Sequence, residues 1–300
     1  MREAVESVLK QSYPYWELLL ADDGAAIEST EIALSYATRY PDKIRYVEHN
    51  GHQNRGMSAT RQLGIRHAKG TLVAFLDADD VWLPHKLEQQ VRLLESHPDV
   101  AMLYGNTQYW YSWTGSAADL ERDYVPPLGV EPDTIVQPPD LLPLFWAGRA
   151  AVPCTCSVMV RRWIIDQTGG FEEIFPGMYE DQVFYAKVCL EAPVLVSGEC
   201  WDRYRQHPDS CCAVASKTDQ HLATRLHYLN WLKGYLHDRE ISDVKLWRAL
   251  NQQLWLAQPS RFSVQIQGLG KWIQRWKRLR LRVEDSILPD SVCSWLWRKL

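Results

Sequence analysis

The sequence predicts an α/β protein: a mainly parallel sheet with helices on both faces, followed by a helical C-terminal extension. Three observations support this class. Short apolar runs alternate with helical patterns over residues 1–105, as in proteins built from strand–helix–strand units. Acidic residues directly follow two of the apolar runs. From about residue 217 onward the pattern is helical and rich in tryptophan.

The individual elements follow from the spacing of apolar residues. Four segments repeat apolar residues at the period of a helix, and short apolar runs between them predict buried strands. The predicted helices cover 2–11, 28–40, 58–68 and 86–96. The predicted strands cover 16–21, 44–48, 71–76 and 100–104.

Residues 106–150 interrupt this alternation with many prolines and aromatic residues. Long excursions of this kind inside a compact domain are usually functional or mobile. We divide the chain into a domain over residues 1–212 and a helical, basic, tryptophan-rich extension over residues 213–300.

The overall composition is that of a folded protein, with 46% apolar and 23% charged residues. No apolar run is long enough to span a bilayer, and charged residues interrupt the N-terminal segment where a secretory signal would be apolar. The net charge of −4 combines an acidic body with a basic end that starts at Lys217. Because the basic residues are confined to that end, the profile argues against a nucleic-acid partner. We expect a cytoplasmic protein.

The cysteines point to the same compartment. Their number is seven, and the pairs Cys154–Cys156 and Cys211–Cys212 are too close in sequence to bridge easily. An odd number of this kind favours reduced thiols over a disulfide framework. The chain lacks two CxxC-like pairs at regular spacing, so the spacing predicts no structural zinc site.

Two acidic clusters follow predicted strands at the point where each strand ends. Asp22-Asp23 follows strand 16–21, and Asp77-Ala78-Asp79 follows strand 71–76. In open α/β sheets this edge is where ligands bind, and crowded carboxylates there favour a divalent cation that bridges to a diphosphate. Each cluster alone is also consistent with solvated turn residues, since Asp-Asp-Gly is good turn chemistry.

A third acidic pair, Glu180-Asp181, precedes an apolar helical stretch. Acidic residues at the start of a helix are often caps. A carboxylate of this pair can also act as a general base, and capping and catalysis can coexist.

Several segments, taken in order, resemble family 2 glycosyltransferases. The core signature spans Asn54–Gly64, Ala68–Gly70 and Ala74–Asp80. Gly169-Gly170-Phe171-Glu172-Glu173, with Glu180-Asp181 after it, matches the acceptor side of the family pattern. The segment from Tyr204 to Ser210 matches a common closing element. The resemblance covers roughly residues 2–212 and implies a GT-A fold with a nucleotide-binding half and an acceptor-binding half.

On the donor side, the resemblance implies contacts with a nucleotide-diphosphate sugar, with UDP favoured as the nucleotide. Asp23, or its neighbour Asp22, would contact the uracil or the ribose, and Asp77 would face the ribose. Asp79 would bind Mg²⁺ or Mn²⁺, and His207 would reach the diphosphate or the metal.

On the acceptor side, the resemblance implies that Asp181 deprotonates the hydroxyl of a carbohydrate or lipid-linked acceptor, with Glu180 in support. The anomeric centre would invert by direct displacement. Arg61 and Arg205 are candidate donors to phosphate, and each is also consistent with an ordinary structural ion pair. The expected setting is synthesis of a cell-surface polysaccharide or glycoconjugate.

The family pattern starts with an apolar strand that this sequence lacks before Arg2. That strand would lie between strands 16–21 and 71–76, so we expect unpaired backbone groups on both sides of a gap. Three outcomes are open. An upstream start supplies the strand, the flanking strands close onto each other, or the gap stays open; we favour the first.

The basic end contains a segment with two alternative interpretations. As a helix, Lys271–Val283 presents a tryptophan face beside a basic face. Such a helix suits the water–lipid boundary at the inner membrane face. Alternatively, the tryptophan face packs on the catalytic domain and the basic face is solvated.

Three functions are consistent with the sequence. The first is an inverting, metal-dependent glycosyltransferase. The second is a non-catalytic, glycosyltransferase-like binding or assembly subunit with an incomplete donor pocket. The third, a nucleotidyltransferase, ranks last because a glycine-rich basic loop is absent near the N-terminus. The joint presence of Asp77, Asp79 and Asp181 favours the first.

Overall fold

A computed structural model describes residues 1–216 and 220–257 of the chain. The segment Lys271–Val283, with its two alternative interpretations, lies outside the described residues.

The helices of the first part agree with the sequence pattern to within about two residues at most ends, the usual uncertainty of helix bounds. The helices are α1 Arg2–Leu9, α2 Ile27–Arg39, α3 Met57–His67, α4 Lys86–Ser96, α5 Ala117–Leu120, α6 Leu141–Trp146, α7 Arg162–Thr168, α8 Glu180–Glu191, α9 Cys211–Ser216, α10 Gln220–Asp238 and α11 Val244–Ala257.

The strands are shorter than predicted near the acidic clusters and longer in the middle of the chain. They are β1 Leu18–Asp22, β2 Ile44–Glu48, β3 Leu72–Ala74, β4 Val81–Trp82, β5 Met102–Trp110, β6 Thr134–Val136, β7 Met159–Arg161 and β8 Val194–Arg205. The proline-rich excursion thus contributes the second half of β5, all of β6 and the helices α5 and α6.

The strands form two sheets. β1 and β2 pair in parallel, and a larger sheet has the order β3-β7-β5-β8-β4, with β6 also paired to β8. Among the described residues of the larger sheet, β5 and β8 form the one parallel pair, and the other pairs are antiparallel. The α/β class is therefore confirmed, but the strand directions are mixed rather than mainly parallel, because β7 enters antiparallel between β3 and β5.

The two strands that were expected to flank a gap are not paired with each other in the described part of the chain. β1 pairs with β2, and β3 pairs with β7. In the described part of the chain, the two flanking strands have therefore not closed onto each other. Leu18 and Leu72 are only partly buried and pack against the cluster that contains Val8 and Trp82. That a further strand belongs between them stays a prediction.

The main core crosses the boundary that the sequence suggested at residue 212. Tyr228 and Leu232 of α10 and Leu250 of α11 are buried in the same cluster as Leu142 of α6 and Val188 of α8. The helical character of the extension is confirmed over Gln220–Asp238 and Val244–Ala257, while the division into two domains stays a prediction. Within residues 1–216 and 220–257, no helix has the length and apolar character needed to cross a membrane.

Candidate functional site

The first acidic pair sits at the end of β1, where its two side chains have different surroundings. Asp22 is buried and accepts hydrogen bonds from Thr30 Oγ1 at 2.6 Å, the Ala25 amide at 2.8 Å and Tyr46 Oη at 3.0 Å. Burial alone would raise the pKa of Asp22, but these hydrogen bonds hold the pKa below its usual value. Both of its carboxylate oxygens are therefore engaged by the protein.

Asp23 points instead to the loop before α3. Its carboxylate accepts the Arg55 amide at 2.7 Å and the Gly56 amide at 3.0 Å. Gly56 has a φ of +87°, and a Cβ there would lie 2.5 Å from the Pro176 carbonyl oxygen. The glycine is needed for this close approach, which brings the loop before α3 next to the segment that leads into α8.

Two further hydrogen bonds tie the start of α3 to that segment. The Met57 amide donates to the Pro176 carbonyl at 2.8 Å, and Ser58 Oγ donates to the Phe175 carbonyl at 2.6 Å. Because Glu180 begins α8 a few residues later, these contacts fix the third acidic pair against α3. The structure thereby joins two segments that are more than a hundred residues apart in the chain.

Arg61 of α3 links the second and third acidic groups directly. Its guanidinium donates to Asp77 Oδ1 at 2.8 Å and to Glu180 Oε1 at 2.8 Å. Only 11% of the Arg61 side chain and 8% of the Glu180 side chain are exposed, compared with 40% for Asp77. Arg61 is therefore a shared counter-ion between two carboxylates, and the nearby negative charges raise its already high pKa despite its burial.

Asp181 follows Glu180 at the N-terminus of α8 and has its own electrostatic setting. Burial raises the pKa of both carboxyls, and the Arg61 cation opposes that shift. The Gln182 amide donates to Asp181 Oδ1 at 2.7 Å. A carboxylate with a raised pKa is a stronger base than a free one, which suits proton abstraction.

Asp79 lies on the turn after β3 and faces His207. Asp79 Oδ2 is 3.0 Å from His207 Nε2, and 45% of the Asp79 side chain is exposed. Arg205 Nε donates to the Asp79 carbonyl at 2.5 Å, and the guanidinium also pairs with Glu3. An accessible carboxylate oxygen opposite an imidazole nitrogen is a donor set that fits Mn²⁺ or Mg²⁺.

Asp80, the next residue, turns the other way into the core. Its side chain is fully buried, and Oδ1 accepts the Arg205 amide at 2.9 Å. Burial raises the pKa of Asp80 to about 8. The acidic turn thus divides into an exposed face that holds Asp77 and Asp79 and a buried face that holds Asp80.

An aromatic cavity of about 380 Å³ opens beside His207. Its walls include Tyr111, Trp113, Asp119 and Arg122, all from the proline-rich and aromatic excursion. The Arg122 guanidinium lies 4.1 Å from the centre of the Tyr111 ring. Aromatic faces combined with a carboxylate and a guanidinium suit a polar ligand with apolar faces.

The structure gathers most of the site residues that the sequence predicted. Asp77, Arg61 and Glu180 form one hydrogen-bonded group, with Asp181 adjacent to Glu180, and Asp79 meets His207. Asp22 and Asp23 are anchored at the end of β1 and in the loop before α3. Their roles remain predictions. Arg61 was predicted to be a donor to phosphate or a member of an ordinary ion pair. Its position between two carboxylates depends on a contact across 119 residues of chain, which a single sequence does not reveal.

Comparison with known proteins identifies related sequences and folds. Residues 1–125 match the family model described as Glycosyl transferase family 2. Over 103 residues the chain is 31% identical to the Escherichia coli protein named UDP-Glc:alpha-D-GlcNAc-diphosphoundecaprenol beta-1,3-glucosyltransferase WfgD, a stretch that covers 34% of this chain and 38% of that protein. The chain spans about a third of the length of the curated relatives it matches.

Two solved structures have a similar fold. S. aureus TarS 1-349 in complex with UDP-GlcNAc is 16% identical with a TM-score of 0.61, over 91% of this chain and 74% of that chain. The mannosyltransferase PcManGT from Pyrobaculum calidifontis, in complex with GDP-Man and Mn²⁺, is 15% identical with a TM-score of 0.52, over 85% of this chain and 65% of that chain. At these identities the likeness extends to the fold alone.

Proposed function

Because the chain belongs to glycosyl transferase family 2 through residues 1–125, we propose that it transfers a sugar from a nucleotide-diphosphate sugar to an acceptor hydroxyl. One observation carries the proposal. Arg61 joins Asp77, at the end of β3, to Glu180, at the start of α8, with two hydrogen bonds of 2.8 Å. This bridge holds a predicted donor residue close to the helix start that carries the predicted base.

The donor is a UDP-sugar in this proposal. Asp23 is held by two backbone amides at the edge of the cleft, where it would contact the uracil or ribose, and Asp77 would face the ribose. Asp22 would act indirectly, since its oxygens are used by Thr30, Ala25 and Tyr46. TarS, which binds UDP-GlcNAc, supports the choice of UDP, whereas PcManGT binds GDP-Man.

A divalent cation, Mg²⁺ or Mn²⁺, would be held by Asp79 with help from His207. When bound, such an ion stabilises the negative charge that develops on the leaving diphosphate. The 3.0 Å contact between Asp79 Oδ2 and His207 Nε2 keeps both groups oriented toward the same point. The complex of PcManGT with Mn²⁺ supports a metal in a protein of similar fold.

Asp181 is the proposed general base. It would take the proton from the acceptor hydroxyl as that oxygen attacks the anomeric carbon from the side opposite the diphosphate, which inverts the centre. Burial raises the pKa of Asp181, so the carboxylate has a stronger affinity for that proton. Glu180 supports the base by holding Arg61 beside it.

The acceptor is a carbohydrate or a lipid-linked glycan, in the synthesis of a cell-surface polysaccharide or glycoconjugate. The name of the relative WfgD describes transfer to a sugar on diphosphoundecaprenol. The aromatic cavity beside His207 supports a sugar ligand, because sugar C–H faces pack well on rings such as Trp113.

The metal role predicts that UDP binding depends on a divalent ion. Calorimetric titration with UDP should give high affinity in Mn²⁺ or Mg²⁺ and a much lower affinity in EDTA. Asp79→Asn should weaken binding in Mn²⁺, whereas Asp42→Asn, an exposed change in the turn before β2, should not. Equal affinity with and without EDTA would rule out the metal role.

The alternative function is a non-catalytic binding or assembly subunit with the same fold. The lack of pairing between β1 and β3 among the described residues favours it, because the residues proposed for the donor site follow or end these strands. The alternative predicts that UDP does not bind under any metal condition, so the same titration separates the two.

We also propose that the protein acts on the cytoplasmic side and contacts the inner face of the membrane peripherally, through Lys271–Val283. If the segment is an interfacial helix, the full chain should float with vesicles of anionic lipid, and a chain that ends near Gln265 should not. Failure of the full chain to float would favour packing of the tryptophan face on the protein.

A further inference from the structure

A second group of potential ligands lies beneath the acidic turn, on the buried side. One ligand atom each from Asp80, Cys154 and Cys156 lie within 4.8 Å of one another. The two sulfur atoms are 2.9 Å apart, and Cys156 Sγ is 3.1 Å from Asp202 Oδ2. Asp80 and the two thiols thus form one cluster of possible ligands, and Asp202 adjoins this cluster through its contact with Cys156.

The two carboxyls of this group have oxygens without hydrogen-bond partners. Asp80 Oδ2 and Asp202 Oδ1 are buried and unpaired within the part of the chain that the structure describes. Both residues are fully buried, at 0% exposure. Buried polar atoms are nearly always hydrogen-bonded, and an orphan of this kind calls for a ligand such as an ion.

The protein's own nearby cation is already engaged. Lys86 is fully buried, and its ammonium donates to Gln90 Oε1 at 2.7 Å and to the Ser157 carbonyl at 3.1 Å. A single ammonium also cannot balance four groups that are each able to become anionic. The group thus has more acidic ligands than positive charge.

We propose that Asp80, Cys154, Cys156 and Asp202 bind a thiophilic divalent cation, Zn²⁺. Two thiolates and two carboxylates make a four-coordinate set of the type that zinc accepts. On binding, each cysteine loses its thiol proton to solvent as a sulfur–zinc bond forms. With zinc–sulfur bonds of about 2.3 Å in a tetrahedron, the sulfurs would stand about 3.8 Å apart, so a small rotation of one side chain relieves their present close contact.

This site is separate from the one proposed at Asp79. The exposed Asp79 and His207 offer oxygen and nitrogen donors suited to Mn²⁺ or Mg²⁺, whereas the buried group offers sulfur. Zinc there would fasten the turn at Asp80 to the segment 154–157 and to β8, and so hold Asp79 in position. Paired CxxC spacing, the usual sign of a structural zinc site in a sequence, is absent here, and the spacing therefore predicted no such site.

Cobalt substitution tests the proposal on the full-length chain. Purified protein freed of metal and titrated with Co²⁺ under reducing conditions should develop thiolate-to-cobalt charge-transfer absorption that saturates at one equivalent. Cys154→Ser and Cys156→Ser should each weaken that absorption severely. Cys211→Ser, which changes an exposed thiol outside the group, and Asp79→Asn should leave it unchanged.

Metal content and mass of the unmodified protein provide a second test that does not depend on how the variants fold. The protein expressed with zinc in the medium should retain one zinc per chain through gel filtration. Absence of both retained zinc and the cobalt absorption would overturn the proposal, as would a mass lower by two hydrogen atoms that maps to a Cys154–Cys156 disulfide. The UDP titration reports independently on the Asp79 site, so the two proposals can fail separately.

Discussion

Replacement of Asp181 by asparagine is expected to reduce sugar transfer by about 10²–10⁴-fold, the usual contribution of a positioned general base. The amide has nearly the same size as the carboxyl and cannot take the acceptor proton. UDP should bind with nearly unchanged affinity, because Asp181 lies at the start of α8 and the donor contacts are proposed for the ends of β1 and β3. Initial rates with a working donor–acceptor pair, alongside UDP titrations, measure both quantities.

Asp166→Asn is the matched control for this change. Asp166 is an exposed carboxylate on α7, 3.8 Å from Arg162, and 63% of its side chain is accessible. Its replacement should alter neither rate nor affinity. Turnover of Asp181→Asn within tenfold of the unmodified protein would mean that another group is the base.

The second large effect is expected for Arg61→Met. Methionine keeps much of the length of the side chain but leaves the buried Glu180 and the partly exposed Asp77 without their shared cation. Removing one partner of a buried ion pair typically costs about 3–5 kcal/mol of unfolding free energy. Denaturant unfolding measures that loss, and UDP binding should weaken as well because Asp77 loses its anchor.

Arg55→Met, in the loop just before α3, provides a control. Arg55 pairs with Glu173 at 2.9 Å, but the two side chains are 50% and 43% exposed. Exposed pairs of this kind contribute about 0–1 kcal/mol. Equal losses for Arg61→Met and Arg55→Met would show that Arg61 is not an internal counter-ion.

The unfolding free energy lost in Arg61→Met should also depend on pH. Burial raises the pKa of Glu180 and Asp181 in the folded protein, so the folded state binds their protons more tightly than the unfolded state does. The two carboxyls therefore contribute fully to the free energy of unfolding below their usual pKa of about 4. That contribution is lost as the pH rises through their raised pKa values in the folded protein. Without Arg61 the values rise further, so the destabilisation should be larger at pH 8 than at pH 5.

Much of the nucleotide-binding half could be predicted from local pattern. β2 and α4 lie at the bounds that apolar spacing gave, 44–48 and 86–96. β5 was predicted to end at Tyr104, yet the strand continues to Trp110. The continuation depends on β8, whose Glu199 carbonyl lies so close that a Cβ at Gly105 would stand 2.4 Å from it.

The candidate site, like the fold, could be predicted from the sequence only in part. The acidic clusters were found because strand ends and turn residues are visible in the sequence. The antiparallel entry of β7 and the burial of Lys86 were not visible. Lys86 begins a helix, where a lysine is normally solvated, and its burial follows from contacts with Gln90 and the Ser157 carbonyl. Long-range pairing of this kind leaves no periodic signal in a single sequence.

The central claim is that this cleft binds a nucleotide diphosphate and a divalent ion at Asp79. Crystals grown with UDP and Mn²⁺, measured for anomalous scattering by manganese, test it most directly. We expect a manganese peak within coordination distance of both the Asp79 carboxylate and the diphosphate, with the uridine between Asp23 and Asp77. A nucleotide bound without metal at Asp79, or a manganese peak found only elsewhere, would contradict it.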